Sequence, residues 1–341
     1  MKQSITPPRV IAIVLNWNNL SDTLECIESL RCSDYPCLAI WVVDNNSDHD
    51  PTSELQSKYS DIRVLRNKRN LGYGGGNNTG ILAAMEAGAV YILLLNNDVV
   101  LAPDCVARLV SSAEANPEIG MATPTVFHYH RPNDVYWNGG VVDWRTGDVH
   151  HDPSGLTRAG GILQSEWLNG CSLLVRVSTI CDIGLLDQRY FLYFEDAAWS
   201  VLAARHGWTN AVVCEARAWH KVSASTGGFD NPLMRYYFFR NRYLFSTTLS
   251  PLPRCLRWKL TYLAAIWSAY VRERHEPENR RVFLSVLIDL VSGSTGAYEG
   301  SFTTRTLVLR LDGMFLCLFR VAGSFKKLLR RVKRMRHPSD G

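Results

Sequence analysis

From Val10 to Ala115 the chain alternates unbroken apolar runs with amphipathic stretches. Val10–Leu15 (VIAIVL), Ala39–Val43 (AIWVV) and Val90–Leu95 (VYILLL) lack polar alternation, the pattern of strands covered on both faces. Ile62–Leu65 is a shorter strand. Between them, Ser21–Arg31 places Leu24, Ile27 and Leu30 at helical spacing. Gly76–Ala87 reads as a helix closed by Gly88, and another helix runs from near Pro103 to Ala115. Buried strands separated by helices predict an α/β fold with a mostly parallel, Rossmann-like sheet. Ligands of such sheets bind beyond the carboxyl ends of the strands. Three polar clusters stand there: Asn16-Trp17-Asn18-Asn19, Asp44-Asn45-Asn46-Ser47 and Asn96-Asn97-Asp98.

The pattern changes after Thr123. Glycines and aromatics punctuate short segments up to Val175, which reads as hairpins and irregular loops. Phe191–His206 is a turn entering a helix that Gly207 stops. Beyond Ser250 the chain is helical, with amphipathic stretches at Leu260–Val271 and Phe283–Val291. These changes divide the chain into a catalytic domain over 1–248 and a helical region over 249–341.

Composition is ordinary for a globular protein of 341 residues, with 46% hydrophobic and 20% charged residues. The net charge of +5 is local to the C-terminus, because Lys326–Arg336 (KKLLRRVKRMR) holds seven basic residues and no acid. The nine cysteines form no CxxC pair or zinc spacing and are expected as buried, reduced thiols. Neither a signal h-region nor an apolar run of the ~20 residues that span a bilayer is present. A cytoplasmic protein is expected.

Four motifs carry candidate chemistry. Asn96-Asn97-Asp98 puts a carboxylate just past a buried strand, where it can hold a hard cation or make a turn. Asn70-Leu71-Gly72-Tyr73-Gly74-Gly75-Gly76-Asn77-Asn78-Thr79-Gly80 lets backbone approach a ligand and precedes a helix that can offer N–H groups to phosphate. It fits neither the dinucleotide fingerprint nor a P-loop. Phe191-Leu192-Tyr193-Phe194-Glu195-Asp196 opens a helix with two acids, one of which can act as a general base or simply favour the helix dipole. Ala218-Trp219-His220 ends a short apolar segment with a candidate metal ligand.

In this order the motifs resemble glycosyltransferase family 2, in its rhamnosyltransferase-like branch, over residues 9–245. Val14-Leu15-Asn16-Trp17-Asn18, Val43-Asp44-Asn45-Asn46-Ser47, the Asn70–Gly80 stretch, Asn96-Asn97-Asp98, Phe191–Asp196 with His220, and Arg240-Asn241-Arg242 match the branch motif by motif. The resemblance implies a GT-A fold and inverting, metal-dependent sugar transfer. Asp44 would read the uracil or thymine ring of a UDP- or dTDP-sugar donor. Asn16, Asn70, Gly75, Asn78 and Asn97 would hold nucleoside and diphosphate, with Arg240 on the diphosphate. Asp98 and His220 would bind Mg²⁺ or Mn²⁺. Asp196 would be the base, with Glu195, Trp167 and Asn169 on the acceptor side. One departure stands out: where the branch writes E-D-x-D, this chain has Ala198.

L-rhamnose from dTDP-rhamnose is the first donor expected, with a hexose from a UDP-sugar second. The acceptor is a glycan or lipid-linked sugar of cell-surface polysaccharide synthesis. The amphipathic basic segment Phe325–Arg336 is expected to rest on the inner face of the cytoplasmic membrane. No nucleic-acid motif accompanies its charge. A catalytically impaired nucleotide-sugar or glycan-binding protein of the same fold is the alternative. A nucleotidyltransferase would need a basic Gly-rich signature where Asn16-Trp17-Asn18 stands.

Overall fold

The first apolar run forms β1 (Val10–Asn16), whose residues Val10–Val14 have no exposed surface. It is the centre of a sheet seen in a computed structural model that describes residues 6–152, 160–222, 231–251, 256–273 and 275–298. Helix α1 (Leu20–Arg31) buries Thr23, Cys26, Ile27 and Leu30. Strand β2 (Leu38–Asp44) follows, then α2 (Thr52–Lys58), β3 (Arg63–Arg66), α3 (Gly72–Glu86) and β4 (Tyr91–Asn96). Strands β1, β2, β3 and β4 are parallel. Next come β5 (Val99–Leu101), α4 (Cys105–Ala115), β6 (Ile119–His128), β7 (Arg131–Trp137), β8 (Gly140–Asp143), β9 (Asp148–His151), β10 (Ile162–Gln164) and β11 (Ser172–Arg176). The series ends with α5 (Val177–Ile183), α6 (Glu195–Arg205), β12 (Thr209–His220), α7 (Pro232–Leu249), α8 (Leu256–Glu273) and α9 (Pro277–Ser292).

The main sheet runs β10-β12-β6-β11-β4-β1-β2-β3, with β5 on β12 and β7 on β6. Its β1–β4 part is parallel, whereas β11 is antiparallel to both β4 and β6. The hairpin β8–β9 forms a small second sheet. Helices α7 and α8 both pack against α9. Residues up to Ala297 belong to one compact unit. No helix among the described residues is long and apolar enough to cross a membrane. The basic segment Phe325–Arg336 lies outside the described residues.

Two local expectations change. Helix α3 begins at Gly72, not Gly76, so most of the glycine-rich stretch is helix. A Cβ on Gly80 would lie 2.7 Å from Ile13 Cγ2 and 3.0 Å from Val43 Cγ2, so its glycine lets α3 ride close on β1 and β2. The expected loops after Thr123 give way to β6, which continues to His128 and is buried up to Val126. Polar side chains disguise it, but they are satisfied internally: Thr123 Oγ1 donates to Ser172 O (2.8 Å) and Thr125 Oγ1 to Asn138 Oδ1 (3.0 Å). Of the cysteines, Cys26, Cys105 and Cys171 are buried as expected, while Cys32 and Cys181 are exposed.

Candidate active site

Parallel pairing brings the ends of three strands to one edge. Asn16 is paired with Asp44, and Leu15 with Asn96. Asn16 Nδ2 donates to Asp44 Oδ1 (2.8 Å), and Asn16 Oδ1 accepts from Thr23 Oγ1 (2.8 Å). Ser47 donates to Asp44 through both its backbone N–H and its hydroxyl. Arg66 Nε lies 3.6 Å from Asp44 Oδ2, and Arg66 Nη2 donates to Ser47 O. No part of Asp44 is exposed. The carboxylate of Asp44, expected to meet a base ring, is enclosed by Asn16, Ser47 and Arg66 and braces the edge. Trp17, beside it, is 44% exposed.

The glycine-rich stretch serves the same edge from behind. Asn70 Oδ1 accepts from Gly72 N (2.8 Å) and from Asn45 Nδ2 (3.0 Å). Asn78 exchanges both amide bonds with the backbone of Leu186 (2.8 and 3.1 Å), and Gly75 lies under Leu71 and Gln188. Asn97 Nδ2 donates to Asn19 O (2.9 Å) and Thr23 Oγ1 (3.1 Å). Asn78 and Gly75 thus hold the frame of the site, and Asn97 is anchored to α1 through its Nδ2.

Asp98 and His220 are far apart in sequence. The antiparallel pairing of β5 with the end of β12 sets His220 opposite Val99, beside Asp98. His220 Nε2 lies 3.1 Å from Asp98 Oδ1, and the two residues are 8% and 6% exposed. The ring of Tyr136 packs edge-on to His220 at 5.3 Å. Lys221 N donates to Asp98 O, and Lys221 Nζ is held by Asp22 and Glu25 of α1. His220 Nδ1 has no hydrogen-bond partner. A carboxylate oxygen facing an imidazole nitrogen suits a divalent cation. Among the described residues no third His, Cys, Asp or Glu completes the set, so a cation here needs ligands from a bound molecule or water.

One strand links this pair to the carboxylate expected as base. Asn96 N donates to Cys171 O, just before β11. The adjacent Gly170 N donates to Asp196 Oδ2 (2.9 Å), and Ala197 N to Asp196 Oδ1 (2.7 Å). Tyr73 OH donates to Gly170 O, and Ser200 ties α6 to this segment by accepting from Leu168 N and donating to Asp196 O. Burial pushes the Asp196 carboxyl above the usual aspartate range, against the two N–H groups that favour its charged form. Glu195 is 4% exposed, and its Oε2 has no hydrogen-bond partner. Burial, then the charge of Asp196, pushes Glu195 up to about 8.

Other expected residues take different places. Asn169 is half-buried, and its Oδ1 accepts from Cys171 N (2.9 Å). Trp167 is buried, with its indole N–H on His150 O (3.2 Å) and its ring against Trp137. Arg240, expected on the diphosphate, is 2% exposed and clamps the backbone by donating to the carbonyls of Arg189, Tyr190 and Gly296. Ala198, where a second acid was expected, is buried on α6. Thr23, Arg66, Tyr136 and Ser200 were not singled out from the sequence. Thr23 and Ser200 were hidden in helix patterns, and Arg66 and Tyr136 reach the site only through strand pairing.

The mostly parallel sheet with a polar carboxyl edge is that of a GT-A fold, and the Asp–His pair and the Asp196 carboxylate stand at that edge. Residues 11–157 match the family model for glycosyl transferase family 2. The chain is 28% identical over 216 residues to the N-acetylglucosaminyl-diphospho-decaprenol L-rhamnosyltransferase of Mycobacterium tuberculosis, covering 56% of this chain and 68% of that protein. It is 25% identical over 221 residues to the low-salt glycan biosynthesis hexosyltransferase Agl10 of Haloferax volcanii, covering 61% of this chain and 67% of that one. The fold is similar to GalNAc-T7 crystallised with UDP, GalNAc and Mn²⁺, with TM-score 0.55 and 15% identity, covering 75% of this chain and 54% of that one. It is also similar to residues 1–349 of S. aureus TarS in complex with UDP-GlcNAc, with TM-score 0.51 and 13% identity, covering 84% and 92%.

Proposed function

We propose that this chain transfers a single sugar with inversion from a nucleotide-diphosphate donor to a hydroxyl of a glycan or lipid-linked acceptor in cell-surface polysaccharide synthesis. L-rhamnose from dTDP-L-rhamnose is the first donor, supported by the named activity of the mycobacterial relative. A hexose from a UDP-sugar is second, supported by the haloarchaeal relative. The observation that carries the reading is the short hydrogen-bonded path from Asn96, through Cys171 and Gly170, to Asp196. This path supports reading the half-buried Asp196 carboxylate and the Asp98–His220 pair as parts of one site.

The chemistry follows from what each group can do. An acceptor hydroxyl has a high pKa and must lose its proton as it attacks. Asp196 takes that proton, and its raised pKa makes it a stronger base than an ordinary aspartate. The new bond forms between the acceptor oxygen and the anomeric carbon as the bond from that carbon to the diphosphate breaks. In-line attack on the opposite face inverts the anomeric centre through an oxocarbenium-like transition state. Gly170 N–H and Ala197 N–H aim the carboxylate, and the Asn16–Asp44–Ser47–Arg66 network braces the edge where the nucleoside would sit. A Mg²⁺ or Mn²⁺ ion on Asp98 and His220 would neutralise charge on the departing diphosphate. Lys326–Arg336 would hold the enzyme at an anionic membrane surface where a lipid-linked acceptor resides. The test is Asp196→Asn, which keeps the shape of the base and cannot accept the proton.

A further inference from the structure

The turn leading into the Glu195-Asp196 pair has an unusual backbone. Phe191, Tyr193 and Phe194 have φ of 64°, 70° and 73°. Bulky L residues rarely adopt the left-handed region, and three within four positions persist only where the surroundings dictate them. The turn also points several carbonyls inward, and these need donors.

Two adjacent side chains of α7 supply them. Asn241 has no exposed surface, and its Nδ2 donates to Tyr190 O (2.8 Å), Leu192 O (2.7 Å) and Tyr193 O (2.9 Å). Arg240 Nη2 donates to Arg189 O (3.0 Å) and Tyr190 O (2.7 Å), and Nη1 to Gly296 O (2.6 Å). Arg240 Nε and Nη2 also hold Asn241 Oδ1 (2.9 and 2.7 Å), which fixes the way the amide faces. From the opposite side, Tyr73 N donates to Phe191 O (2.7 Å). Phe194 is the last residue before α6, so the clamped turn sets where that helix starts and where Asp196 points.

We infer that Arg240 and Asn241 are positioning residues for the base, acting through the 189–194 turn. This rests on the reading of Asp196 as base. Both side chains are buried and their polar groups are engaged by the protein, so their action is on the turn. Releasing the turn lets Phe191, Tyr193 and Phe194 relax toward ordinary φ and carries Asp196 away from Gly170 N–H.

The test is Asn241→Asp, which keeps size and the acceptor for Arg240 but removes both donors. kcat for nucleotide release should fall on the order of 100-fold, as misplacing a catalytic group by about 1 Å does. Binding of UDP and dTDP with Mn²⁺ should stay at the parent level, which reports a folded donor edge. The acidic limb of kcat should move to lower pH, because Asp196 gains water and loses the burial that raises it. Amide hydrogen exchange should quicken at Gly170 and Ala197 and not along β1. Arg240→Lys keeps the charge without the fork and should show the same changes to a smaller degree, and it carries the test if Asn241→Asp does not fold. A variant that binds nucleotide with parental kcat, acidic limb and exchange at those two amides, while only its Tm falls, overturns the inference. If Asp196→Asn retains transfer but the exchange at Gly170 and Ala197 still quickens in Asn241→Asp, the base reading fails and the clamp stands.

Discussion

Replacing Glu195 with Gln tests the electrostatics of the site without touching the base. Glu195 is 4% exposed, lies beside Asp196, and has one carboxyl oxygen without a partner. Burial first, then the charge of Asp196, raises its pKa from an ordinary 4.5 to about 8. At neutral pH the folded protein therefore keeps a proton that the unfolded chain has lost. Between those two values the folded state binds more protons, so stability is full below pH ~4.5 and falls as pH rises toward ~8. Each pKa unit of difference is ~1.4 kcal/mol, so the loss across that window is on the order of a few kcal/mol, shared with Asp196. Glu195→Gln stays neutral at every pH, and the loss that Glu195 causes disappears. Urea unfolding of parent and variant at pH 5, 6.5 and 8 reads this directly. The variant should gain on the parent by ~2–4 kcal/mol between pH 5 and 8. Any cost of burying the amide NH₂ is a constant offset and leaves the slope alone. Parallel stability curves would refute the reasoning, because Glu195 would then be ionised in the folded state.

Two further substitutions probe packing and the metal pair. Gly72→Ala puts a Cβ 2.2 Å from Phe191 O at a φ of 73°, and should cost ~2–4 kcal/mol by urea midpoint. Gly88→Ala, at φ 76° with open space around it, should cost only ~1 kcal/mol, and equal costs would show that the contact with the turn is unimportant. His220→Ala should raise the Mn²⁺ concentration needed for half-maximal transfer by on the order of tenfold or more. An unchanged metal dependence would remove His220 from the cation site.

The central part of the fold is legible because the physics is local. Strands β1, β2 and β4 are unbroken apolar runs, and each ends where a polar residue, Asn16, Asp44 or Asn96, must face the open edge. Strand β6 was hidden because Thr123 and Thr125 look like loop residues until their partners Ser172 and Asn138 are placed. The start of α3 was missed because glycine disfavours helices, and only the closeness of Ile13 and Val43 explains why Gly80 is there. Asp98 and His220 are joined by a three-residue strand, too short to read by periodicity, so family resemblance and not pattern brought them together. Only the family resemblance puts Arg240 on the diphosphate. The carbonyls it serves exist only once the 189–194 turn has formed.

The most direct measurement is transfer by Asp196→Asn, compared with the parent, on dTDP-L-rhamnose and UDP-hexose donors with a polyprenyl-diphosphate-linked sugar acceptor and Mn²⁺. A general base contributes about 10²–10⁴-fold, so kcat should fall by that factor while UDP and dTDP bind as in the parent. Transfer by the variant within a few-fold of the parent rate would contradict the assignment of Asp196 as the base on which the whole account turns.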